Sequence, residues 1–164
     1  MELIIRKADG NDLAAVLDVG RRTWPVTYGP IAGEEYVAMG LAKWWTHDAT
    51  IPAIRAGRVT VAQVDGTVVG IAVVGPHEKH LFLWKLYVLP EYQGQAIGSA
   101  LMESVIAQAM GDHAEIRLSY LVGNTLAERF YRKWGFVEIS REASGEGIPE
   151  SVWMQLTLDP GEQP

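Results

Sequence analysis

Cysteine is absent from the 164 residues, which excludes disulfides, thiolate catalysis and any metal site built on sulfur. Histidine is scarce, with four copies. His77 and His80 flank a loop without the spacing of paired ligands, so no metal is expected. Positive charge is also short: 14 Lys and Arg against 20 Asp and Glu give a net charge of −6. That balance argues against general nucleic-acid binding and suits a cationic substrate such as an amine. No apolar run approaches the length of a membrane span, and Met1–Arg6 does not read as a secretion signal. Internal repeats, linkers and low-complexity blocks are missing. The expectation is a soluble, cytoplasmic protein, one domain over residues 1–164, with a polar tail from 159.

Apolar periodicity supplies the elements. Leu3–Arg6 reads as a strand, and Asp9 with Asp12 as a helix start. Leu13, Val16, Leu17, Gly20 and Trp24 fall at helical spacing up to Pro25, where the helix is expected to stop. Tyr36–Trp44 gives a second helix and Thr46–Ala56 a short third one. Arg58–Val64 and Thr67–Val74 are apolar runs around Asp65-Gly66, a hairpin signal. Leu81–Val88 is a strand ending before Pro90. Ile97, Leu101, Val105 and Ala109 form one stripe of a helix that Gly111 stops. Glu115–Leu121 is a strand, Asn124–Trp134 a helix, and Phe136–Glu142 with Ser151–Leu158 a hairpin closed over a Gly-rich loop. The fold class is α/β (α+β), in the order β-α-α-β-β-β-α-β-α-β-β. A mixed, mostly antiparallel central sheet of about seven strands is expected, flanked by helices.

The most informative stretch lies between strand and helix, Gln93-Gly94-Gln95-Ala96-Ile97-Gly98-Ser99. A small-residue turn entering a helix directs unpaired N–H groups and the positive end of the dipole at one spot, an anion site. It lacks the Lys-Ser/Thr pair of a Walker loop and the Gly order of a dinucleotide fold.

Gln93-x-x-Ala96-x-Gly98, with Leu86-Tyr87-Val88 before it and Asn124, Tyr131 and Gly135-Phe136 after it, resembles the GNAT superfamily of acyl-CoA-dependent N-acetyltransferases. The element order is similar end to end. The resemblance implies acetyl-CoA as cosubstrate, with its diphosphate on the backbone of Gly94, Gln95, Ala96, Ile97 and Gly98, beside Gln93 and Ser99. It implies a splayed strand at Leu86, Tyr87 and Val88 that pairs with the pantetheine arm and offers an N–H to the thioester oxygen. Asn124 would contact the arm, and Tyr131 would hydrogen-bond the departing thiolate as general acid. The acceptor would be a primary amine of a small molecule or a protein, and a homodimer is open. Trp24 and Tyr28 would line the acceptor cleft from the first helix-to-helix loop, with Trp84 and Ser119 as further contacts.

Two positions depart from the family pattern. Ala96 stands where Gly is usual: helical dihedrals there would suit alanine, and left-handed ones would cost about 1–2 kcal/mol. Ser119 stands where some members carry a glutamate base. Glu34, Glu35 and His80 are the remaining candidates for a base, with Ser119 and Tyr120 as water holders. Simpler roles stand beside these: a helix cap for Asn124, core packing for Tyr131, and core or rim packing for Trp24, Tyr28, Trp44, Trp45 and Trp84. A longer acyl donor, a non-catalytic acyl-CoA-binding module, or a phosphate-binding interaction domain are the alternative functions.

Overall fold

The computed structural model describes residues 1–158, so the expected polar tail lies outside the described residues. The elements are β1 (Leu3–Lys7), α1 (Leu13–Ala32), α2 (Glu34–Trp44), α3 (His47–Arg55), β2 (Val59–Val64), β3 (Thr67–His77) and β4 (His80–Val88). They continue as α4 (Ile97–Ala109), β5 (Glu115–Leu121), α5 (Thr125–Lys133), β6 (Val137–Glu142) and β7 (Ser151–Thr157). All seven strands join one sheet in the order β1-β2-β3-β4-β5-β7-β6. Every neighbouring pair is antiparallel except β4 with β5.

Local chemistry accounts for most boundaries. The Asp9 side chain accepts from Asn11 N–H and the Asp12 carboxylate from Asp9 N–H, while Arg6 clamps Asp12 at 2.8 and 2.9 Å. That guanidinium holds the Asp12 carboxyl below the usual carboxylate range. Asp65 and Gly66 both have positive φ, 48° and 88°, as a two-residue hairpin with matching twist requires. The stripe of Ile97, Leu101, Val105 and Ala109 is buried against the sheet.

One expected boundary is wrong. The first helix does not stop at Pro25; α1 runs through Pro25 and Pro30 to Ala32. Each proline removes a donor to the carbonyl four residues earlier, and those residues, Arg21 and Val26, are exposed like the prolines themselves. Water can take over both carbonyls, while burial of Thr23 and Trp24 holds the other face in place. Consequently no loop carries Trp24 and Tyr28; both sit on α1.

The junction of β4 and β5 shapes everything that follows. The two strands pair at only three positions, His80 with Glu115, Leu81 with Ile116 and Phe82 with Arg117. Val73 and Val74 of β3 face Lys85 and Leu83, so Trp84 is an extra, bulged residue on β4. A bulge bends its strand and increases its twist, and here it falls where β4 leaves β5. From Leu83 onward the β5-facing side of β4 has no strand beside it, and the sheet opens into a V.

Candidate active site

Two cavities meet at this V. The first, about 380 Å³, lies between β4, β5, α5 and the turn before α4. Its lining includes Leu86, Tyr87, Val88, Gln93, Gly98, Asn124 and Tyr131. The second, about 520 Å³, is bounded by α1, α2, α3 and the ends of β4, β5 and β7. Tyr28, Trp84, Tyr87, Ser119 and Tyr120 line both.

The turn has the donor geometry of an anion cradle. Among the described residues, the N–H groups of Gly94, Gln95 and Ala96 find no backbone acceptor; the next loop-to-helix bond runs from Ala100 N–H to Ala96 O, 3.1 Å. Those of Ile97, Gly98 and Ser99 open α4 and have no carbonyl in the preceding turn. Six donors therefore collect at the positive end of one helix. The Ile97 side chain is buried in the core and offers only its backbone. Gln93 folds back instead, donating from Nε2 to Val88 O at 3.0 Å and fastening the turn to the strand end. Ala96 is left-handed, φ 64° and ψ 15°, so the strained one of the two expected conformations is present. A Cβ on Gly98 would meet the Phe130 ring at 3.6 Å, which puts this glycine against α5 at the cavity wall.

Tyr131 is buried against Phe130, Phe136 and Tyr120, with ring centroids 5.6, 5.8 and 6.5 Å away. Its hydroxyl has no hydrogen-bond partner among the described residues, and burial pushes its pKa far above that of a free phenol. The group stays protonated and can donate at any working pH. Asn124 caps α5: its Oδ1 accepts from Ala127 N–H at 3.3 Å. The cap occupies one end of the amide, and the residue still lines the cavity.

Trp24 is core: it is 5% exposed, lies 4.4 Å from Tyr28 and stacks on Tyr36 at 5.6 Å. The Tyr28 and Tyr87 hydroxyls share a hydrogen bond of 2.7 Å. Burial pushes Tyr28 up to about 12 and Tyr87 well above its usual value. Trp45 is core as well, and Trp44 lines the second cavity. Trp84 is 54% exposed, stacked on Phe82 at 4.6 Å at the junction of the cavities. Ser119 is exposed beside it, opposite Trp153 in the β5–β7 register.

The candidate bases are not brought in. His80 sits at the closed end of the β4–β5 pairing, 3.3 Å from Glu115, and Glu34 and Glu35 are exposed in the first turn of α2. None of the three lines either cavity. Lys85 escaped the sequence reading: it is the single charge inside the apolar strand His80–Val88, and it lines the second cavity. A charge interrupting a buried strand was the available signal. Trp153 and Tyr36 were missed too, because only the pairing of β7 and the packing of α2 bring them to this cavity.

The acetyltransferase (GNAT) domain family matches residues 55–138. An uncharacterized N-acetyltransferase of Mycobacterium tuberculosis is 32% identical over 139 residues, covering 78% of this chain and 83% of the relative. A spermidine N(1)-acetyltransferase of Thermoplasma acidophilum is 27% identical over 143 residues, 83% of this chain and 89% of that one. The crystal structure of the PaiA N-acetyltransferase of T. acidophilum in complex with coenzyme A superimposes with a TM-score of 0.83 at 25% identity, covering 96% of this chain and all of that one. The chain belongs to the GNAT family of N-acetyltransferases. Among the described residues no helix is long and apolar enough to cross a membrane.

Proposed function

We propose that the protein transfers the acetyl group of acetyl-CoA directly to a primary amine, with residues 1–164 acting as a single cytoplasmic catalytic domain. The observation that carries this reading is the continuity of the site. Six N–H groups without backbone acceptors collect at a turn that meets the first cavity at Gly98, Tyr131 with its unpartnered hydroxyl lines that cavity, and the V between β4 and β5 joins it to a second one.

The backbone of Gly94–Ser99 would hold the diphosphate, for which charge-dense oxygens and clustered N–H groups are matched. The unpaired side of β4 over Leu86, Tyr87 and Val88 would pair with the amide-bearing arm as an added strand. An N–H of that edge would stabilise the oxyanion formed when the amine adds to the thioester carbonyl. Asn124 would contact the arm with the end of its amide not used by the cap. Tyr131 would hydrogen-bond the leaving sulfur. Phenol is the weaker acid of the pair, about 10 against about 8.5 for a thiol, and burial widens that gap. Its work is therefore to stabilise developing thiolate charge, with a proton arriving from the attacking amine. Trp84 and Ser119 sit where acceptor and acetyl group would meet. Direct transfer fits a chain without cysteine.

A second reading, an acyl-CoA-binding module without turnover, is favoured by one observation: among the described residues no carboxylate or imidazole lines either cavity. Calorimetry with acetyl-CoA and CoA, followed by thiol-release assays over a panel of amines, separates the two. We expect acetyl-CoA binding and amine-dependent thiol release. Tyr131→Phe should lower kcat by roughly 10²-fold, the scale of losing one hydrogen-bond donor to developing negative charge, and leave acetyl-CoA affinity within about threefold. Binding without turnover on any amine would favour the module, and absence of binding would remove both readings.

A further inference from the structure

The second cavity has an unexpected charge. Although the chain carries a net −6, no Asp or Glu among the described residues lines this cavity, whereas Lys85 and Arg58 do. Neither cation forms an ion pair among the described residues. The remaining walls are largely aromatic, with Trp24, Tyr36, Trp44 and Trp153 prominent. Two carboxylates stand behind lining residues: exposed Glu142 accepts from Trp153 Nε1–H at 2.9 Å, and Glu128 on α5 lies beside the Tyr120 hydroxyl.

Lys85 is held in place. Its Nζ donates to Trp44 O at 2.6 Å and lies 4.0 Å above the centre of the Trp45 ring. An ammonium has three donors, and this one spends a single N–H on a protein acceptor. Burial without a carboxylate partner pushes it down to about 8. Unneutralised ammonium at a cavity wall repels a polycation and gains from an anion.

We propose that the acceptor is a primary amine that also carries a carboxylate on an apolar or aromatic body, and that Lys85 binds the carboxylate. This rests on the acetyltransferase reading above and deepens it by naming the acceptor class. A polyamine would place its remote ammonium groups against Lys85 and Arg58 with no acid to receive them. An amino acid places its carboxylate there and its side chain against the tryptophans. The bulge at Trp84 and the loss of β5 as a neighbour put Lys85 at this wall, on the strand that bounds both cavities.

The test compares phenylalanine, leucine and lysine with their amides, beside spermidine and a short peptide beginning with Asp, in a thiol-release assay with acetyl-CoA. We expect kcat/KM for each amino acid to exceed that for its amide by tenfold or more, and spermidine to be poorer than either. Preference for the Asp-peptide over the free amino acids would place the carboxylate on a protein chain, within the same proposal. Lys85→Met should bring the acid-to-amide ratio close to one, through KM more than kcat, and Lys85→Arg should retain a preference. A merely structural strut would instead lower all acceptors alike.

Quenching of tryptophan fluorescence by the same ligands reads binding without turnover. Carboxylate-selective binding with no thiol release on any amine would uphold the anion site and sink the transferase reading. Amides or spermidine equalling the amino acids in both assays would overturn the proposal, as would an unchanged ratio in Lys85→Met or no binding of any ligand. Should Lys85→Met fail to fold, the wild-type ratios decide.

Discussion

Ala96 occupies a conformation that alanine disfavours. Its φ of 64° and ψ of 15° put it at the head of α4 without a side-chain cap, between Gly94 at φ 84° and the first helical turn. A left-handed alanine costs about 1–2 kcal/mol, and glycine in its place loses part of that through greater freedom in the unfolded chain. Ala96→Gly should therefore stabilise the protein by about 0.5–1 kcal/mol, read as a higher urea midpoint with unchanged slope. Ala96→Val, β-branched at positive φ, should destabilise it. A stability loss in the glycine variant would show that the alanine methyl makes a compensating contact. The sequence named Ala96 as the doubtful position but could not choose its dihedrals, because the entry of α4 is set by burial of Ile97 and Leu101. Asn124 and Tyr131 were reached through the family resemblance, which a fixed spacing over one helix and its cap can carry. Lys85 was not: its setting is made by Trp44 and Trp45, some forty residues away on and after another helix.

The helical layer is locked by two glycine–tryptophan pairs. A Cβ on Gly20 of α1 would overlap the Trp45 ring, and one on Gly40 of α2 would overlap the Trp24 ring. Tryptophan on one element thus lies flat on bare backbone of the other, in both directions. Both glycines fall on the apolar stripes of their helices, where a small core residue is expected; the spacing does not say which ring covers them. Alanine would gain about 1 kcal/mol of helix propensity and lose about 1–3 kcal/mol or more to overpacking. Ring overlap this deep puts the loss at the upper end of that range or beyond it, so each of Gly20→Ala and Gly40→Ala should destabilise by about 2 kcal/mol. Trp45→Phe in the Gly20→Ala background should cost less than the two single changes added, because the smaller ring leaves room. Additive losses in urea denaturation would mean the backbone shifts instead. Continuation of α1 past Pro25 belongs to the same scale. Proline's local preference for ending a helix is overridden where its lost bonds face water and Trp24 has this partner to pack on.

At the scale of the whole molecule, element order and the hairpins around Asp65-Gly66 and between β6 and β7 were legible from local patterns. The opening of the sheet along Leu86–Val88 was implied by the family resemblance alone, and the insertion of β7 between β5 and β6 was not anticipated, since neither leaves a local signature. The site that opening creates is lined by groups whose titration is displaced in opposite directions, and stability should record both. Burial lowers Lys85 from 10.5 to about 8, and Lys7 falls in the same direction. Between those values the unfolded chain retains a lysine proton that the folded chain has released. The unfolded state then binds more protons, so stability rises with pH. From about pH 8 to pH 10 the gain should be on the order of 1–2 kcal/mol, less than the full displacement because solvent still reaches the group. Above pH 10 the sign reverses. Tyr28, Tyr87 and Tyr131 are all raised by burial, so the folded chain keeps phenolic protons that the unfolded chain gives up. Stability should pass through a maximum near pH 10 and fall steeply beyond it. Urea midpoints followed by circular dichroism from pH 7 to 11 would trace the curve. Lys85→Met should flatten the rising limb and leave the falling one. A midpoint that declines steadily from pH 7 would show that the ammonium is solvated in the folded protein, and would weaken the case that it waits for an anion.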